Sequence, residues 1–253
     1  GGSGGSGAKP KNSSRGLPLL GLAVLAVALI GGGVWFMTSS SGPKTIAVDD
    51  NILQNTVWKS GNTYVLSKLT FVESNARLTI EPGVTVRGKN GSALIVTRDA
   101  SVHARGRVDQ PIVFTSAKAL GNRQAGDWGG LVLLGNAPVN RDAHIEGIDR
   151  SDSRGDFGGS DSNSSCGVLD FVRIEFAGFE ISKDNELNGL TLGGCGAGTI
   201  VRNVQVHMGL DDGVEVFGGT VDLKNIVVTG ADDDAIDWDM GWTGRVQNLI
   251  IQM

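Results

Sequence analysis

The chain has 253 residues, 19% charged and 40% hydrophobic, with a formal net charge of −5. That is globular composition, long enough for one large domain or two small ones. The 39 glycines follow no Gly-X-Y period, which excludes collagen and points to tight turns. No basic face or stripe marks a nucleic-acid footprint, so no DNA or RNA partner is expected.

The opening "GGSGGSG" has the composition of a flexible linker, and residues 1–15 are set aside from the fold. Leu17 to Met37 then run without a charge. As a helix those residues span roughly 31 Å, enough for a bilayer core. Lys9, Lys11 and Arg15 precede the run, and the next basic residue after it is Lys44. The positive-inside rule therefore keeps residues 1–15 in the cytoplasm and exports the rest. This predicts one transmembrane helix over 16–39 in a bacterial inner membrane and a linker over 40–47. An extracytoplasmic domain over 48–253 follows, in the periplasm or outside the cell. The alternative is a cleavable signal peptide, for which "IGGG" supplies small residues, although the run is longer than the usual apolar region of one. Cleavage would leave a soluble secreted binding protein.

Beyond Gly42 no helical period is evident. Short alternating segments are broken by Gly, Asn and Asp: "ARLTIEPGVTVRG", "SALIVTRDASVHARG", "PIVFTSA", "GLVLLGNAPVN", "VLDFVRIEFAG", "TIVRNVQVHMG", "VDLKNIVVTG", "RVQNLIIQ". Trp128, in "GDWGGL", is expected to pack at a coil corner. The polar stretch from Asn140 to Cys166 is too long for such a corner. It reads either as an insertion packed on the wall through Ile145, Ile148 and Phe157 or as a partner-binding loop. "NGLTLGGCGAG" lacks the Lys-Ser/Thr of a phosphate loop and reads as a turn.

Internal similarity sets the architecture. Asn203–Phe217 falls on Asn225–Asp239 after a shift of about 22 residues, and a comparable shift brings Asn225 to Asn248. Strands repeating at that period with no helix between them predict a right-handed parallel β-helix, a solenoid whose coils stack about 4.8 Å apart. Alternation points Val214, Val216, Ile236 and Trp238 inward, and Glu215 and Asp237 outward. Cys166 and Cys195, the two cysteines, each precede a strand in neighbouring coils and are expected to form a disulfide. The chain stops in a strand at "RVQNLIIQM". The open last coil is therefore expected either to continue or to be covered by another protein, with the 140–166 loop as a second partner surface.

The segments "LTIEPGVTVRG", "ALIVTRDASVHARGRVDQPIVFTSA", "GDWGGLVLLGNAPVN", "GDFGGSD", "NELNGLTLGG" and "DDGVEVFGGTVDLKNIVVTGADDDAIDWDMGWTGRVQ" resemble a family of secreted or envelope-anchored bacterial β-helix proteins, over about residues 62–250. The resemblance implies the fold and no defined reaction. The usual members carry a lipoprotein cysteine where this chain has its apolar run.

The acidic residues are concentrated. Asp211, Asp212, Glu215, Asp222, Asp232, Asp233, Asp234, Asp237 and Asp239 face Lys224 alone between residues 209 and 239. One period stacks Asp211 on Asp233, Asp212 on Asp234 and Glu215 on Asp237. Two carboxylates ~5 Å apart repel by roughly 3 kcal/mol at an effective dielectric of 20, so compensation is required. Backbone N–H groups at coil corners provide one route. A Ca²⁺ ion held by these six acids provides the other, and raised carboxyl pKa values a third. No other cofactor is implied. A polysaccharide lyase or hydrolase would need a base or a His partner beside the Asp211–Asp212 pair. His207 reads as an outward surface residue, while Arg202, Lys224 and Arg245 lie in strand repeats. The expectation is therefore a scaffold, an accessory subunit of a membrane assembly or an adhesin, with a polysaccharide-active enzyme as the alternative.

Overall fold

The computed structural model describes residues 42–253 apart from 74, 183 and 184. The apolar run of residues 17–37 lies outside them. Among the described residues no helix is long and apolar enough to cross a membrane.

Nearly all regular structure is parallel strand, and the expected β-helix is present. Two rows of short strands begin the fold. One row stacks Thr45–Val48, Thr63–Leu66, Thr85–Gly88 and Ile112–Ser116, and the other Thr56–Trp58, Arg77–Ile80 and Ser101–Arg105. Both rows meet at Gly167–Glu175, whose first half pairs with Val102–Arg105 and whose second half pairs with Ile112–Phe114. The same long strand then repeats as Ile200–His207, Leu223–Thr229 and Val246–Gln252. Among the described residues the array begins at Thr45, inside the stretch read as a linker.

The long strands bend at one residue each. Phe171, Asn203, Asn225 and Asn248 lie in register with φ of 51°, 54°, 55° and 62°. Asn tolerates that left-handed region better than other non-Gly residues. Its amide also closes a ladder: Asn248 donates to Asn225, Asn225 to Asn203, and Asn203 to Asp170, each at 2.8 Å. The period of about 22 seen in the sequence is the spacing of the asparagines in this ladder.

A second sheet stacks Leu69–Val72, Ala93–Val96, Leu131–Leu134, Leu190–Gly193, Val214–Phe217 and Ile236–Asp239. Leu190–Gly193 corrects the reading of "NGLTLGGCGAG" as a turn; only its second half turns. Four alternating residues had marked no strand there, because Gly closes it where Phe157 covers its face. Inward residues of this sheet, among them Leu94, Leu131, Leu190 and Val214, join the main core. Its outward side is covered too. Phe71, Ile95, Val132 and Leu134 pack with Ile145 and Phe157 of the long excursion. The wall-packed reading of that excursion holds, and its two short strands, Ala143–His144 and Asp156–Phe157, form an antiparallel pair. Trp128 is fully buried, stacks on Phe114 and donates its indole N–H to the Glu175 carbonyl at 2.8 Å.

Trp238 departs from expectation. It pairs in register with the buried Val216, yet it is 62% exposed. Among the described residues its strand pairs on one side, and its indole is tilted against Trp242, with ring centroids 6.4 Å apart. Ile236, on the same strand, is partly buried against the core. Cys166 and Cys195 are bonded as expected, with Cα atoms 5.7 Å apart at the base of two adjacent long strands.

Candidate functional site: a carboxylate cluster on the second sheet

The outward column of the second sheet changes character along the solenoid. It runs Phe71, Ile95, Val132, Thr191, Glu215, Asp237, from apolar under the excursion to acidic beyond it. The turn that feeds Val214–Phe217 brings Asp211 and Asp212 beside this column, and the equivalent turn one coil on brings Asp233. Carboxylate oxygens of Asp211, Asp212 and Asp233 lie within 4.8 Å of one another, as do those of Asp212, Glu215 and Asp237. Asp212 belongs to both groups and joins them.

Five of the six acids singled out in the sequence therefore meet. Asp234 does not bring its carboxylate into either group. Its backbone N–H instead donates to Asp212 Oδ1 at 2.9 Å, which is the corner capping anticipated from the turn composition. One N–H does not offset the site's cost. Burial pushes Asp212 up to about 7, against the Asp234 hydrogen bond, with Asp211, Asp237 and Asp233 adding to the rise. Burial likewise pushes Glu215 up to about 8, helped by Asp212, Asp237 and Glu146 and opposed by the Asn188 amide. The charged groups that act most strongly on these two carboxyls are all acidic.

Asn188 is the participant that sequence reasoning missed. Its Nδ2 donates to Glu215 Oε2 and, at 3.3 Å, to Thr191 Oγ1. The residue is 2% exposed, and its Oδ1 has no hydrogen-bond partner. A buried amide oxygen without a donor is costly. A sequence signal existed in the register of "NGLTL" with "DGVEV", which places Asn188 one position before the Gly that aligns with Gly213.

The basic candidates are occupied elsewhere. Arg202 pairs with Asp170 at 2.8 Å and Arg245 with Asp222 at 2.6 Å, both bridging neighbouring coils of the long sheet. Lys224 lies in the same row. His207 is half-buried, with Nδ1 2.7 Å from Thr229 Oγ1 and its ring edge-on to Phe176.

Residues 50–253 match the family model of the pectate-lyase-like β-helix domain. The chain belongs to that family. No curated protein and no solved structure matches it. Membership in the pectate-lyase-like β-helix family agrees with the parallel stacking, and the match begins at residue 50, ahead of the segments that carry the resemblance in the sequence. The family description names a fold, and a reaction does not follow from a fold.

Proposed function

We propose that this chain is a non-catalytic β-helix module, anchored to a bacterial inner membrane through residues 17–37 and displayed outside the cytoplasm. It acts there as a rigid scaffold, an accessory subunit of a membrane assembly or an adhesive binding module. The observation that carries the reading is the all-acidic surroundings of Asp212 and Glu215. Lyase chemistry on a sugar acid calls for a base to take the proton beside the carboxylate, and Arg202 and Arg245 are committed to bridges between coils.

In this reading the cluster holds a divalent cation, and Ca²⁺ suits the donors. It takes six to eight hard oxygens in irregular geometry. Asp211, Asp212, Glu215, Asp233 and Asp237 offer carboxylates within reach of one another. The orphaned Asn188 Oδ1 is a neutral oxygen beside them, available after rotation of its amide. The ion would cross-link two coils.

A second reading rests on one feature: burial pushes Glu215 up to about 8 and Asp212 up to about 7, the direction that a general acid in a glycoside hydrolase requires. Incubation of the full chain with polyuronates and a neutral glycan panel separates the two. No product is expected with or without calcium. Product release abolished by Glu215→Gln would establish the enzyme and overturn the scaffold.

A further inference from the structure

The excursion that covers the second sheet leaves an open cleft of about 730 Å³ beside it, lined by Arg98, Arg141, His144, Arg150, Asp142 and Asp156. On a chain of net charge −5, this gathers three guanidiniums and an imidazole around one space. Two of the four are committed. Arg141 bonds to Asp239 at 2.5 Å, and the buried His144 ring contacts Asp156 at 2.9 Å. Arg98 makes one long contact, from Nη1 to the Gly158 carbonyl at 3.4 Å. Arg150 has no hydrogen bond or ion pair among the described residues. Asp142 is the sole lining carboxylate without a basic partner, so the uncommitted charge of the cleft is positive.

We infer that this cleft binds an oxyanion, with Arg98 and Arg150 as the residues that hold it. A guanidinium presents parallel N–H donors that match the oxygens of a carboxylate, sulfate or phosphate group. The cleft lies within the ~300–1,000 Å³ range of small-molecule sites, far larger than a bare phosphate needs. Its wall is predominantly polar, including Asn140 and the backbone of Gly158 and Gly159. The occupant is therefore an oxyanion carried on a polar, hydroxylated body of about sugar size. No residue of the carboxylate cluster lines this cleft, so the proposal does not rest on the cation.

Isothermal titration of the full chain at fixed ionic strength tests this, with glucose 6-phosphate, glucuronate, inorganic phosphate and uncharged glucose as probes. Saturable binding of either anionic sugar is expected, with none for glucose. Affinity should fall by about tenfold or more in Arg98→Gln plus Arg150→Gln, the loss of a charge-assisted bidentate contact. Arg107→Gln, outside the cleft, should leave it unchanged. Both cleft arginines are exposed, so the double variant is expected to fold, and an unchanged melting temperature verifies it. Equal binding by the double variant, or no saturation by any anion, overturns the proposal. Inorganic phosphate binding as tightly as the sugar phosphate overturns the sugar-sized occupant.

Discussion

Asn225 donates its side-chain amide to Asn203 Oδ1 at 2.8 Å, and both residues sit at positive φ, 55° and 54°. One residue type thus meets two demands of the last three long strands: a left-handed bend in the strand and a polar link to the coil beside it. The two demands separate by mutation. Asn225→Gly keeps the bend and loses the ladder, whereas Asn225→Ala loses both. Breaking one or two partly buried hydrogen bonds costs about 1–2 kcal/mol, and forcing Ala into the left-handed region adds about 1 kcal/mol. Urea unfolding should therefore rank wild type above Asn225→Gly above Asn225→Ala. Equal stability of the two variants would remove the conformational part of the explanation.

The disulfide is expected to contribute independently of this ladder. Cys166 and Cys195 close a loop with a sequence separation of 29, and the chain-entropy model gives about 3–4 kcal/mol for a loop of that size. Intact mass should increase by two hydrogen atoms on reduction. Cys166→Ser plus Cys195→Ser should lower the urea midpoint with little change in the slope below the transition. Two free thiols in protein purified under oxidising conditions would dismiss the bond.

Asp212 and Glu215 make stability depend on pH in a definite direction. Unfolded carboxyls titrate near 4, while these two are raised to about 7 and about 8. The folded state then binds protons more tightly than the unfolded state. Their favourable contribution is complete below about pH 4 and disappears as pH rises through 7 and 8. The melting temperature should therefore decline between about pH 5 and 8, and Glu215→Gln should flatten that decline. Calcium should raise the melting temperature most at the alkaline end, where both carboxylates are free to bind it. Asp212→Asn plus Glu215→Gln should abolish the calcium response. Identical melting with calcium and with chelator would leave the Asp234 backbone cap as the cluster's compensation.

The legibility of these features followed the regularity of the coil. Asn203, Asn225 and Asn248 stand 22 and 23 residues apart, so the repeat, the stacked acids and the wall orientation could be read directly. The pairing of Asp170 with Arg202 spans 32 residues, because the segment around Phe179 and Leu187 interrupts that coil. That interruption hid Leu190–Gly193 and with it Asn188. The first coils keep the 22-residue spacing, as the Lys59–Glu81 bridge shows. Their strands, however, are three or four residues long and rich in Thr, giving too little alternation to mark them. Trp238 keeps the inward register of Val216 and differs only in burial. Alternation fixes the side of the sheet on which a residue lies, whereas burial also requires a neighbouring coil.

His144 sits at the hinge of the excursion and carries a prediction of its own. It is the register partner of Asp156 in the antiparallel pair, and its side chain is 5% exposed. Nδ1 lies 2.9 Å from Asp156 Oδ1, and Nε2 lies 3.1 Å from the Ile148 carbonyl oxygen. The ring thus ties the antiparallel pair to the turn between its two strands. Removing the ring deletes both contacts, which should loosen the pair that holds Ile145 and Phe157 against Phe71 and Val132. Hydrogen exchange of residues 143–157 should therefore be faster in His144→Ala than in the wild type at the same pH, while residues 204–206 stay protected. His144→Gln, which keeps an amide able to reach one of the two partners, should fall between them. Exchange of residues 143–157 unchanged in His144→Ala would exclude the ring as the clasp of the excursion.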